Sequence, residues 1–155
     1  MTYWERLSHL KLYSIERRRE RFTIIYMYKI FHGLVPNPGI EFEDKGRRGI
    51  EAKLPIISRK EPTWIQNLKR NSFSFTGPTL WNTVPKEIRS HKAVSEKSLV
   101  LSFKNKLDQY LTTIPDQPTV YGLQRAAQTN SICDQQNYRI NLGQEFQSLI
   151  QEFTL

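Results

Sequence analysis

The stretch "IERRRERFTIIYMYKIF", Ile15–Phe31, decides how the rest of the chain is read. Ser14 before it is a favoured helix N-cap, Gly33 after it a favoured helix stop, and Pro36 and Pro38 forbid continuation, so the spacing predicts one helix between them. Ile15, Phe22, Ile25, Tyr26 and Ile30 recur at helical intervals. The second half, "TIIYMYKIF", is apolar nearly all round and needs cover on more than one side. The first half places four arginines in eight residues, and a turn of about 100° per residue spreads them around the helix. With Ile15, Phe22 and Tyr26 as the buried stripe, Arg18 and Arg19 flank that stripe while Arg17 and Arg21 lie one turn apart on the far side. Arg17 and Arg21 are then the expected phosphate contacts of the run, and replacing both is expected to weaken nucleic-acid binding without unfolding. The competing reading is a solvated helix in which Glu16 and Glu20 pair with the arginines.

Outward from this helix, "YWERLSHLKL" at Tyr3–Leu12 sets Trp4, Leu7 and Leu10 at i, i+3 and i+6, which predicts a short helix forming an angled pair with the long one. Between residues 50 and 80, "GIEAKLPIIS" and "NSFSFTG" read as short extended segments, because Phe73 and Phe75 alternate with serines at the period of a strand. "GPTLWNTVPKEIRS" follows as a turn, one helical turn carrying Leu80 and Trp81, and a second turn started by Pro85 and anchored by Ile88. In "SEKSLVLSFKNKLDQYL" the residues Leu99, Phe103, Leu107, Tyr110 and Leu111 make one face of an amphipathic helix capped by Ser95 or Ser98. After Pro115 the composition turns to Gln, Asn, Thr and Pro, a linker signature, before a last amphipathic stretch, "GQEFQSLIQEF", aligns Phe146, Leu149, Ile150 and Phe153. The expected fold is mainly α: a basic helical domain over 1–114 with a few short extended segments in its middle, a linker or poorly ordered segment over 115–142, and a short amphipathic helix over 143–155.

Of the 155 residues 38% are hydrophobic, enough for one modest core. The formal net charge of +8 favours polyanionic partners, and its distribution is uneven. Residues 1–110 hold 21 of the 23 Lys and Arg and 11 of the 15 Asp and Glu, a balance of +10, whereas 111–155 hold two basic and four acidic residues. The single Cys133 makes no intrachain disulfide, which suits a reducing compartment. No apolar run approaches the ~18 residues of a membrane helix and "MTYWERLSHL" lacks the apolar centre of a signal peptide, so an intracellular chain with no membrane partner is expected.

The motifs of nucleotide cradles, zinc proteases and serine hydrolases do not occur. His9, His32 and His91 are far apart, and the acidic group Glu41, Glu43 and Asp44 adjoins Lys45, Arg47 and Arg48, which compensate it. No catalytic residue, metal or cofactor is expected. The remaining basic elements are "KGRRG" at Lys45–Gly49, "SRK" at Ser58–Lys60, "LKR" at Leu68–Arg70 and "KNK" at Lys104–Lys106. With the first helix they give Arg17, Arg21, Arg47, Arg48, Lys69, Arg70 and Lys104 as candidate nucleic-acid contacts. Trp64, Trp81 and Phe103 are either core anchors or stacking platforms, with Trp64 as well suited to one role as to the other.

Taken in order, "YWERLSHLKLYSIERRRERFTIIYMYKIFHGLVPNP", "NSFSFTGPTLWNTVPKEIRS" and "SFKNKLDQYLTTIPDQP" resemble the far C-terminal portion of the polyproteins of non-LTR retrotransposons of the jockey-like and chicken-repeat-like kind. The resemblance covers about residues 3–118, with Arg17, Arg18, Tyr28, Lys29, Gly33, Trp81, Asn82, Pro85, Phe103, Lys104, Leu107 and Asp108 matching the recurring motif. Val84 stands where that family often has Leu, and "FTGP" replaces a commoner basic segment before Trp81 and Asn82. The resemblance implies a helical segment that follows the reverse transcriptase and lacks its catalytic carboxylates. Such a segment would hold template RNA or target DNA with little sequence readout, beside the upstream polymerase region, in the nucleus or a cytoplasmic ribonucleoprotein. It also implies that Trp81 and Phe103 anchor the core, that Pro85 forms a turn and that Gly33 stops a helix. The alternative from a different class is a protein-interaction or structural module whose charges only solubilise it.

Overall fold

The computed structural model describes residues 1–93, 95–118 and 130–135, and they are mainly α-helical. Helix α1 is Tyr3–His9, α2 Ile15–Phe31, α3 Thr63–Arg70, α4 Phe73–Thr83, α5 Lys86–Arg89 and α6 Glu96–Leu111; strands β1, Phe42–Asp44, and β2, Ile50–Ala52, form a hairpin between α2 and α3. The chain divides into two compact units, one made of Met1–Arg18 with Thr112–Leu155 and the other of Arg19–Leu111. The expected helix over 143–155 lies outside the described residues.

In the first unit the Thr2 hydroxyl accepts from the Glu5 amide while the Glu5 carboxylate accepts from the Thr2 amide, a reciprocal cap that starts α1. Ser14 caps α2 as its position predicts, its hydroxyl accepting from the Arg17 amide. The cap is wired to distant chain: Asp116 accepts from the Ser14 amide at 2.6 Å and from its hydroxyl at 2.7 Å, and Asn130 donates to both the Ser14 hydroxyl and the Asp116 carboxylate. Ile114, Asn130, Ile132 and Gln135 are buried, and 132–135 form a helical turn. Residues 115–118 and 130–135, within the stretch read as linker, therefore join the packed unit. Polar side chains that hydrogen-bond one another fill the place that large apolar residues would take.

In the second unit α2 ends as Gly33 predicts. Gly33 adopts φ +69° and donates to the Ile30 carbonyl, while Leu34 donates to Lys29, the paired bonds that close a helix at a left-handed residue. Buried Ile24, Ile25, Met27, Tyr28 and Ile30 supply one side of the core, and Leu99, Phe103, Leu107 and Leu111 of α6 another. The rings of Tyr28 and Phe103 stack at 3.8 Å, and the Tyr28 hydroxyl donates to the His91 carbonyl. Ser95 precedes α6 and its carbonyl accepts from the Ser98 amide. Fully buried Trp81 meets Phe31, Phe42 and Tyr28, with ring centres 5.8, 6.0 and 6.4 Å away.

The segment "NSFSFTG", expected to be extended, is instead the start of α4, and Gly77 and Pro78 lie within that helix rather than in a turn. Gly77, Leu80, Trp81 and Val84 are buried at intervals of three, one and three, which is helical spacing; the alternation of Phe73 and Phe75 spans too few residues to outweigh it. Thr76, Thr79 and Thr83 return their hydroxyl protons to the carbonyls of Ser72, Phe75 and Thr79 and hold the turns around Pro78. The expectation of extended chain after Gly49 holds for β2, which pairs antiparallel with β1 in the register Phe42 to Ala52 and Asp44 to Ile50.

Candidate nucleic-acid interface

The arginine run faces the opposite way from its sequence reading. Arg17, expected outward, is fully buried, whereas Ile15 and Phe22, expected inward, are 58% and 63% exposed and Tyr26 is also exposed. The Arg17 guanidinium donates to the carbonyls of Ile114, Pro115 and Asn130 at 3.3, 2.9 and 3.0 Å, all within the first unit. Arg21 makes a two-pronged ion pair with Asp108 in the second unit, at 2.6 and 2.9 Å. The seam of α2 runs through residues 17, 21, 24 and 28, the i, i+4, i+7, i+11 spacing of one helical face. Ile15, Phe22 and Tyr26 match each other's spacing equally well, but Ile24 and Tyr28 are the fully buried pair, Tyr28 against Phe103 and Trp81, and they set the rotation. Arg17 and Arg21 thus hold the fold, and neither is offered to a phosphate.

Arg47 and Arg48 are placed differently. They stand in a single 3-10 turn, Gly46–Arg48, at the tip of the β1–β2 hairpin, and both are exposed. The tip is fixed through its backbone. Lys86 donates to the Arg47 carbonyl at 2.9 Å, Arg89 to the Arg48 carbonyl at 2.6 Å and to the Ile50 carbonyl, and the Trp81 indole also to Ile50. Below it the Asn82 amide accepts from the Ala52 N–H at 2.8 Å and donates to the Ala52 carbonyl at 2.9 Å, so a side chain on α4 takes the place of a further strand at β2. Gly46 and Gly49 adopt φ +59° and +74°, and a Cβ on Gly49 would lie 3.0 Å from the Lys86 Cβ. Burial lowers the Arg89 pKa from its usual value, with Glu51 and Glu87 acting in the other direction. The Arg47 and Arg48 carbonyls thus turn to α5 and the Ile50 carbonyl to α4 and α5, while the Arg47 and Arg48 side chains stand exposed to solvent. Arg48 retains a loose 3.6 Å pair with Glu51 and stays 70% exposed.

The acidic group beside the tip is compensated locally. Glu43 pairs with Lys45 at 2.7 Å, Glu41 with Lys53 at 3.0 Å, and Asp44 accepts from the Gly46 amide. The hydrogen bond and charge of Lys45 hold the Glu43 carboxyl below its usual range. Among the described residues no group of three His, Cys, Asp or Glu is arranged to hold a metal ion.

The other basic candidates sit on α3 and α6. Lys69 is tied to Glu61 at 2.5 Å, Arg70 is exposed and Lys104 is half-buried. Trp64, open between two roles, is 68% exposed, whereas Trp81 and Phe103 are fully buried core residues. Helix α3 and strand β2 both pack on α4, which carries the Trp81–Asn82 pair. The contacts of Lys86, Arg89 and Asn82 could not be read from the sequence, although Asn82 matches the motif of the resemblance, because each acts on a carbonyl or amide 30 to 41 positions away. Among the described residues no helix is long and apolar enough to cross a membrane. Comparison with family models, with characterised proteins and with solved structures yields no match for this chain.

Proposed function

We propose that the chain is a noncatalytic module of the kind that follows the reverse transcriptase in non-LTR retrotransposons, and that it contacts RNA or DNA by phosphate neutralisation. The observation that carries this reading is the hairpin tip, where a backbone fixed by Lys86, Arg89 and Trp81 presents Arg47 and Arg48 to solvent. A loop whose backbone is already held spares the cost of ordering it on meeting a phosphate, and guanidinium forks suit phosphate oxygens. The motif residues support the reading indirectly. Tyr28, Gly33, Trp81, Asn82, Phe103, Leu107 and Asp108 all make framework contacts, which leaves the contact with a polyanion to side chains such as those of the tip.

The test is binding of RNA and DNA hairpins across a salt series. The expected result is a log affinity that falls linearly with log salt, and a slope that is shallower by roughly 1.4 to 1.8 in Arg47→Ala/Arg48→Ala, one phosphate contact per arginine. Absence of binding at about 50 mM salt, or a slope unchanged by the double substitution, would refute it.

A further inference from the structure

Helix α3 presents two of its three large apolar residues, Trp64 and Leu68, to solvent. Trp64, Asn67, Leu68 and Asn71 at its end fall at i, i+3, i+4 and i+7, one helical face, and all four are exposed. The Trp64 indole has no ring neighbour and no hydrogen-bond partner among the described residues, and the amides of Asn67 and Asn71 have no side-chain hydrogen bond there either. The segment that carries this face is basic. Residues 58–71 hold Arg59, Lys60, Lys69 and Arg70 against the single carboxylate of Glu61. Glu61 also fixes the preceding turn to the helix, since its carboxylate pairs with Lys69 and its carbonyl accepts from the Gln66 amide at 2.7 Å. Arg59, Lys60 and Arg70 remain exposed and outside any ion pair among the described residues.

Resting on the nucleic-acid reading above, we infer that this face of α3 is a stacking platform for unpaired bases, and that the ligand class of the protein is therefore single-stranded RNA or DNA. An indole accepts any base on its flat side, two free amides offer both donors and acceptors to base edges, and the flanking cations meet the phosphates on either side. Charge decides between occupants. An apolar protein surface gains nothing from the three unpaired cations of this segment, Arg59, Lys60 and Arg70, whereas a polynucleotide places a phosphate beside every base. A duplex engages the platform poorly because its bases already stack on each other, so Trp64 separates single strands from duplexes while the hairpin tip does not.

The full chain is titrated with a single-stranded oligonucleotide and with a blunt duplex of the same length. Trp64→Ala is expected to weaken single-strand binding about 5- to 100-fold, the loss of one base–aromatic stack, with duplex binding unchanged and with Trp64→Phe recovering most of the affinity. An unaltered melting temperature shows that the exposed indole is not part of the fold. Equal single-strand affinity in wild type and Trp64→Ala overturns the inference, as does an equal loss on both ligands. So does a Trp64→Ala chain that differs from wild type only in self-association, which would make the face a protein contact. Loss of duplex binding in Arg47→Ala/Arg48→Ala with no Trp64 effect leaves the phosphate-binding reading standing and removes only the platform; no nucleic-acid binding by wild type removes both.

Discussion

Replacing Arg17 by Met should destabilise the first unit rather than weaken a nucleic-acid contact. The guanidinium is wholly buried and donates to three carbonyls, Ile114, Pro115 and Asn130. Each hydrogen bond from a charged donor contributes about 1.5–3 kcal/mol, so the gross loss is roughly 4–9 kcal/mol. Against it stands the cost of keeping a guanidinium out of water, several kcal/mol that Met does not incur. The net destabilisation is about 2–4 kcal/mol. With a urea slope of about 2 kcal/mol per M for a chain of this size, the midpoint falls by roughly 1–2 M. Arg17→Lys should recover little, because one ammonium on a flexible stem does not span three carbonyls in the fixed geometry of a guanidinium. The single thiol provides a local readout, since Cys133 lies in the same unit beside buried Ile132 and Asn130. Its labelling by a thiol reagent should accelerate in Arg17→Met under conditions where wild type reacts slowly. An unchanged urea midpoint and labelling rate combined with weaker RNA binding would refute this account and return Arg17 to the surface.

The histidines set a pH dependence. Burial, reinforced by Lys92, lowers the His32 pKa, and burial with Lys106 does the same for His91, whose ring bonds the Ser102 hydroxyl at 2.5 Å. The unfolded chain binds these protons near pH 6.5 while the folded chain still excludes them, so stability is full above that pH and declines as pH falls through 6.5 towards the folded values. Thermal melts from pH 8 to pH 5 should show that decline, and His32→Asn/His91→Asn should flatten it; an equal decline in the double variant would contradict the assignment. Asn82→Asp keeps the acceptor for the Ala52 amide but sets a carboxylate against the Ala52 carbonyl, and it should cost about 1–3 kcal/mol in chemical denaturation. A cost no greater than that of an ordinary surface substitution, within about 0.5 kcal/mol, would mean that the bracket at β2 carries no weight.

The parts of the fold legible in the sequence are those fixed by near neighbours. Ser14 and Gly33 bound α2, and the repeat of Leu99, Phe103, Leu107 and Leu111 defines α6, because a cap or an i, i+4 contact is local. The rotation of α2 was not legible. Two apolar stripes of similar quality run along it, and the choice between them depends on Phe103 and Trp81, which are 75 and 53 positions from Tyr28. Arg17 misleads further, since arginine is rarely buried and its carbonyl partners leave no trace in composition. The same limit divided the candidate site. The basic loop at Arg47 and Arg48 could be read from "KGRRG", but not that it tips a hairpin held by side chains from α5. For Trp64 the sequence left two roles open, and exposure decides against the core.

The restraint on the hairpin tip acts only on carbonyl oxygens, which every amino acid carries. Lys86, Arg89 and Trp81 therefore specify where the loop runs without specifying which side chains stand at 47 and 48. Given glycine at 46 and 49, those two positions form a cassette whose contents can be exchanged at little cost to folding, so the chain can drift or be engineered towards a different ligand while keeping the same scaffold.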